Sequence, residues 1–405
     1  MIAFINATII DGTGAAPKKG MKVLVDDKKI TAVGRFIIIP DEAGVIDLKG
    51  AYLLPGLIDA HSHLGDHPFK DKPGIDTAQK SNYYEQMRKM TLDAGVTTIR
   101  SCGDHMPDTA MTRDMINNGE LEGPRLICSG KSFLRKDGHP AVTVWACDQT
   151  TVDGCGAYPD TANEARRMVR EAKDAGMDFI KIVVSDIHVS YWPEYKERLS
   201  DDILEAIVDE SHKLGLRAVS HVDNLRQAEL MVSFGIDEIH HLTNMGSKMY
   251  ELPEFDGLFK EMCEKGIPLV PTISAPRAFE GARIERGCTD SPLDYQLQVL
   301  KRAYEFGVTF GAGCDSGCPG VPWGQCIWQE MAEYVYNLGM SPLEAIRCAT
   351  SNNARLMEME NQIGVVHTGA FADLIVTEKD PSEKIENFAS ILMVIREGKI
   401  VRDYR

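Results

Sequence analysis

Gly176-Met177-Asp178-Phe179-Ile180-Lys181-Ile182-Val183-Val184 reads as a helix stop followed by a buried strand. Gly176 ends the amphipathic stretch Ala162–Ala175, because glycine takes the left-handed turn that closes a helix at little steric cost. Phe179–Val184 is then apolar on both alternating faces apart from Lys181, as in a strand covered on two sides. The rhythm recurs through the middle of the chain. Apolar runs stand at Gly56–Ala60, Val96–Arg100, Arg125–Cys128, Ala218–Ser220, Glu238–His240, Pro268–Pro271 and Val308–Ala312. Helix candidates lie between them at Asn82–Ala94, Asp201–Leu214, Arg226–Phe234 and Asp294–Phe306, closed by Gly95, Gly215, Gly235 and Gly307. Eight strand–helix units predict an α/β fold, a (β/α)8 TIM barrel. The competing open doubly wound sheet lacks its Gly-rich turn after a first strand.

The two ends have a different texture. Ala3–Thr8, Lys22–Val25, Lys29–Val33 and Val45–Leu48 read as short strands with turns at Asp11-Gly12 and Asp26-Asp27. Leu374–Val376, Ser390–Ile395 and Lys399–Val401 repeat that pattern around Glu397-Gly398. The expectation is one small composite β-sandwich domain built from both ends, residues 1–55 and 358–405, around a barrel of residues 56–357.

Composition narrows the function. The 405 residues carry a net charge of −16, which argues against nucleic acid and anionic membranes as partners. With 43% hydrophobic and 26% charged residues the chain can bury a large core. Ten cysteines are scattered without paired zinc-ribbon spacing. No basic and apolar leader and no long apolar run is visible, so a cytoplasmic protein with reduced thiols is expected.

Candidate chemistry gathers at strand ends. In Pro55-Gly56-Leu57-Ile58-Asp59-Ala60-His61-Ser62-His63 the two histidines are spaced i, i+2, so a strand aims both at one side, where neutral imidazoles suit a zinc ion. Lys181 sits inside its apolar strand, an expensive place for an ammonium. His221 ends the fifth run, His241 the sixth, and Asp315 follows the eighth in Gly313-Cys314-Asp315-Ser316-Gly317. Each alone has an ordinary structural explanation. Together they converge on the C-terminal rim of the barrel, where such barrels keep their chemistry.

This set of residues resembles the amidohydrolase superfamily of metal-dependent hydrolases, over nearly the whole chain. Gly95-Val96-Thr97-Thr98-Ile99-Arg100, Gly123-Pro124-Arg125, Asp178–Ile182 and Gly364 to Leu374 are similar to its branch of prolidase-like and Xaa-Arg-type carboxypeptidases and imidazolonepropionase relatives. The resemblance implies a binuclear centre of two divalent ions, zinc by preference. His61, His63 and Asp315 would hold one ion and His221 and His241 the other. Lys181, carbamylated by CO2, would bridge them. His241 is taken over His240 because the family's ligand occupies the later place of that strand end, with His240 as the fallback. A metal-bridging hydroxide would attack a C–N amide bond, with Asp315 as proton shuttle.

The surrounding loops suggest substrate contacts. The stretches Ser129–Asp160 and Ser185–Ser200 are long, and long loops in compact domains are more often functional than idle. His139, in Asp137-Gly138-His139, stands where the carboxypeptidase branch has a Gly-Gly-His segment, and orients substrate or merely orders the loop. Arg277, Arg283 and Arg286 could pair with a substrate carboxylate; Tyr191 and Trp192 could line the pocket. The expected substrate is a dipeptide or N-acyl amino acid with a free carboxylate. A cyclic amide or lactam on the same centre is the alternative. A mononuclear deaminase is disfavoured by Lys181 and by Asn224, where that branch commonly has Glu. A non-catalytic binding protein is disfavoured because no ligand is missing. A homo-oligomer is compatible with the sequence.

Overall fold

A computed structural model describes residues 1–64, 77–145, 149–185, 198–243, 250–285, 292–318 and 320–405, with side chains omitted for 77–83, 107, 281–285 and 292. The first strands are β1 (Ile2–Ile9), β2 (Lys18–Asp26), β3 (Lys29–Gly34), β4 (Gly44–Asp47) and β5 (Tyr52–Pro55). The barrel wall is made of β6 (Leu57–Ser62), β7 (Val96–Ser101), β8 (Arg125–Cys128), β9 (Ser132–Phe133), β10 (Gly156–Ala157), β11 (Phe179–Val184), β12 (Arg217–Val222), β13 (Glu238–His241) and β14 (Leu269–Val270). β15 (Leu374–Thr377), β16 (Ile391–Arg396) and β17 (Lys399–Asp403) complete the chain.

Parallel pairing runs β6–β7–β8 and, in a second sheet, β9–β11–β12–β13–β14. β8 and β9 are two pieces of one wall position, since Asp178 N–H donates to Cys128 O at 2.8 Å while Lys181 pairs with Ser132 further along. The eighth run closes the circle. Leu269 N–H donates to Thr309 O, Gly311 N–H to Leu269 O and Ala60 N–H to Ala312 O, each at 2.9 Å. These contacts make a closed (β/α)8 barrel.

The expected eighth strand, Val308–Ala312, is not a regular strand: its ladder reduces to a single bridge between Phe310 and Leu269. The reason lies in Asn353, whose side chain accepts from Ala312 N–H and donates to the carbonyls of Ala312 and Ile58. A buried amide thus replaces part of the ladder. Gly313 is required there, because a Cβ would lie 2.7 Å from His61 N and 2.8 Å from Val270 Cγ1.

The stretch Ser129–Asp160, read as a long loop, holds β9, β10 and the short helix Gln149–Cys155. Helix Ala162–Asp174 starts on Thr161, which accepts from Glu164 N–H. Helix Leu225–Ser233 starts on Asn224, which accepts from Gln227 N–H; both caps satisfy otherwise orphaned donors.

Both ends of the chain build one eight-stranded sheet, ordered β17-β16-β15-β5-β1-β2-β3 with β4 beside β1. β5, unread in the sequence, is the seam: it runs parallel to β1 and antiparallel to β15. Ile30 of β3 and Met393 of β16, from opposite flanks, share one core with Phe4, Val23, Leu53 and Val376. The sheet therefore folds over into a sandwich. Among the described residues no helix is long and apolar enough to cross a membrane, and eight described cysteines are free thiols.

Candidate metal and active site

His61 leaves the end of β6 and His63 follows one residue beyond the strand. Both turn toward Asp315: His63 Nε2 lies 3.0 Å and His61 Nε2 3.4 Å from Asp315 Oδ1. This trio has the close approach that a shared ion needs. His241 brings a second face, its ring centroid 4.6 Å from His61 and 4.2 Å from His221. The His139 ring is 5.2 Å from His221. The structure therefore brings His61, His63, His221, His241, Asp315 and His139 together.

Lys181 stands mid-strand on β11, 2% exposed. Its Nζ is buried and has no hydrogen-bond partner among the described residues. Burial, opposed by the charges of Cys102 and Asp315, brings its pKa down to about 8. A buried amine left unpaired is costly unless something completes it.

Backbone positions around the cluster are strained. His241, Thr272 and Asp315 have φ of 72°, 50° and 60°, left-handed values that cost non-glycine residues roughly 1–3 kcal/mol each and concentrate at functional sites. They stand just where the sixth, seventh and eighth wall segments end.

Three of the four clustered strand-end histidines have one ring nitrogen within hydrogen-bond reach of an outer partner, and the fourth, His63, faces a carboxylate. His221 Nε2 pairs with Asp223 Oδ1 at 2.8 Å and His241 Nδ1 with Thr272 Oγ1 at 2.7 Å. His63 Nδ1 faces Asp104 Oδ1 at 3.6 Å, and Asp104 also accepts from Ser101 Oγ. His61 Nδ1 meets His240 Nδ1 at 2.6 Å. Outer partners of this kind fix ring orientation and leave the opposite nitrogen for an ion. Burial holds His61 well below the ordinary imidazole pKa, helped by the charge of Lys181, and burial followed by His221 does the same for His241. Burial works against charge on His63 too, yet the Asp104 and Asp315 carboxylates outweigh it and raise that pKa well above normal. Four imidazoles, a carboxylate and a neutralisable amine form a donor set that suits divalent ions.

Sequence reasoning missed Asp104, Asp223 and Thr272. Asp223 carried a signal, since it follows His221 by two residues along one strand direction. Asp59, buried at 2%, accepts from the N–H groups of His61 and Cys314 and from Ser316 Oγ. It pins the eighth segment to β6, and burial lifts its pKa to about 6.

Arg277 is a candidate partner for a substrate carboxylate. It lies in helix Ser274–Glu285 and donates twice to Glu333, from Nε at 2.8 Å and Nη2 at 2.7 Å. That pair occupies two of the guanidinium's donors. The side chain of Arg283 is outside the described residues, as are Tyr191, Trp192 and Arg286.

Known proteins resemble the whole chain at low sequence identity. Over 97% of its length the chain is 27% identical to an ochratoxinase from Aspergillus niger, covering 85% of that protein. A solved structure of a Xaa-Pro dipeptidase with methionine in its active site superposes with a TM-score of 0.82, at 25% identity and 99% coverage of both chains. A dihydroorotase from Thermoanaerobacter is 37% identical over 160 residues, 34% of this chain and 35% of that one. Residues 52–401 match the sequence profile of one family along nearly the whole barrel and both halves of the seam. The closed barrel and the sandwich built onto it are thus those of a hydrolase of carbon–nitrogen bonds, and the chain belongs to the amidohydrolase family.

Proposed function

We propose that this protein is a binuclear metal-dependent amidohydrolase cleaving the C–N bond of a dipeptide or N-acyl amino acid with a free carboxylate. His61, His63 and Asp315 would hold one divalent ion, zinc by preference, and His221 and His241 the other, with Lys181 joining them as a carbamate. The observation that carries this reading is the buried Nζ of Lys181 beside the histidine cluster, without a hydrogen-bond partner among the described residues. A neutral amine adds CO2 by forming an N–C bond and releasing a proton, and the product offers anionic oxygens where the lysine offered none. The lowered pKa keeps that neutral amine accessible near neutrality.

When bound, the metals would polarise the scissile carbonyl and bring water's ionisation toward neutrality. Asp315, within 3.4 Å of two histidines, accepts the proton of the attacking water and returns it to the departing amine. His139, its Nδ1 held by Thr143 Oγ1 at 2.8 Å, orients the substrate from the side of His221. The Xaa-Pro dipeptidase likeness, extending over both whole chains, supports a dipeptide. The partial likeness to a dihydroorotase supports the second reading, hydrolysis of a cyclic amide, because dihydroorotate is one.

Purified protein should carry close to two divalent ions per chain by elemental analysis. With zinc and bicarbonate it should hydrolyse members of a panel of dipeptides, N-acyl amino acids, hydantoins and lactams. Full activity at one ion per chain would overturn the binuclear reading, and a response confined to the cyclic substrates would replace the first substrate class by the second.

A further inference from the structure

His240 was the fallback ligand, yet the structure gives it a different position. Its ring is fully buried, 4.8 Å from the His61 ring and 6.2 Å from that of His241, with Nδ1 at 2.6 Å from His61 Nδ1. Its other nitrogen, Nε2, has two neighbours: Glu238 Oε2 at 3.3 Å and Arg100 Nη2 at 3.1 Å. Arg100 grips Glu238 through Nη1 at 3.0 Å and Nη2 at 2.6 Å, and its Nε donates to Ala60 O. All four side chains are buried.

The chemistry of two abutting imidazoles allows only one consistent arrangement for a ligand at His61. Nε2 of His61 can bind an ion only if the ring proton sits on Nδ1, and that proton must then be donated to His240 Nδ1. His240 consequently carries its own proton on Nε2, and Glu238 Oε2 is the acceptor within reach. If Arg100 donated to His240 Nε2 instead, the protons would reverse, and His61 would present N–H rather than a lone pair toward Asp315. The other three clustered histidines face an oxygen partner directly; His61 alone among them is served through a second ring.

We infer that His240 is a positioning residue: with Glu238 anchored by Arg100, it holds His61 in the tautomer that can bind a metal. This rests on the metal-centre reading above, and the two can fail separately. The test is zinc affinity, measured by competition with a chromophoric chelator on metal-stripped full-length protein, with thermal melting of the stripped protein as the folding control. His240→Phe fills the space without an acceptor and should weaken one zinc site about 10- to 100-fold. His240→Asn places an amide oxygen near the Nδ1 position and should restore affinity to within a few-fold of wild type. Unchanged zinc affinity in folded His240→Phe overturns the inference, and so does equal weakening in both variants. Should the variants not fold, 15N-histidine NMR of the zinc-loaded wild type decides: a protonated Nδ1 on His61 supports the relay and a protonated Nε2 on His61 overturns it. A wild type that binds no zinc overturns the metal-centre reading itself and with it this inference.

Discussion

The amine of Lys181 titrates at about 8 when buried, against 10.5 for an ordinary lysine. Between those values the unfolded chain binds more protons than the folded one, so stability of metal-stripped protein rises with pH across that window. Below pH 8 the whole penalty applies, roughly 3 kcal/mol for a shift of this size. Lys181→Met should therefore stabilise the stripped protein at pH 7 by up to about that amount, flatten its stability between pH 8 and 10.5, and abolish hydrolysis. Urea denaturation across that range checks the first two, and a destabilised variant would contradict them. At this scale much of the cluster was legible. His61 and His63 followed from strand periodicity, and Lys181 from the cost of a charge in an apolar run. Asp104 and Thr272 were not legible, because they reach their histidines by backbone turns beyond the strands, whose geometry no periodicity encodes.

Elements were legible where their pattern was regular. Phe179–Val184 is the strand its composition implies, with matching bounds, and the helices beginning at Ala162 and Asp201 start where expected. The eighth wall segment departs from the pattern because Asn353 stands in for its neighbours, a long-range substitution that a local reading cannot see. The pairing of Arg277 is hidden from a local reading in the same way: it belongs to a helix, and its partner Glu333 is 56 residues away. With Arg277 47% exposed, the pair contributes on the order of 0–1 kcal/mol after solvent screening. Arg277→Ala should accordingly lower stability by no more than that and leave KM for carboxylate-bearing substrates within about twofold. A rise in KM of an order of magnitude would return Arg277 to the substrate site.

At the scale of the molecule, barrel and sandwich are joined through Asp373, 2% exposed. It pairs with Arg125 at 3.2 Å and Arg396 at 3.3 Å and accepts from Glu397 N–H, while its carbonyl accepts from Gly56 N–H at the entrance to β6. Removing one member of a buried charge group leaves the others uncompensated, at a cost of about 3–5 kcal/mol. Asp373→Ala should show that loss in chemical denaturation, and it should lower activity only in proportion to the folded fraction. A loss under 1 kcal/mol would show that the ion group is incidental to the joint. The composite domain itself was legible, because both ends share a short-strand texture. The seam strand β5 was not, since Tyr52–Pro55 reads as the lead-in to the barrel rather than as a strand of its own.

That seam also sets a timetable for the newborn chain. β5 is made early, but its antiparallel partner β15 emerges only after the whole barrel has been translated. At roughly 5–20 residues per second the wait lasts on the order of tens of seconds. Throughout it one edge of Tyr52–Pro55 offers unpaired peptide groups to any passing strand. The hazard in making this protein therefore falls on the ribosome-bound intermediate, and the emergence of β15 removes it.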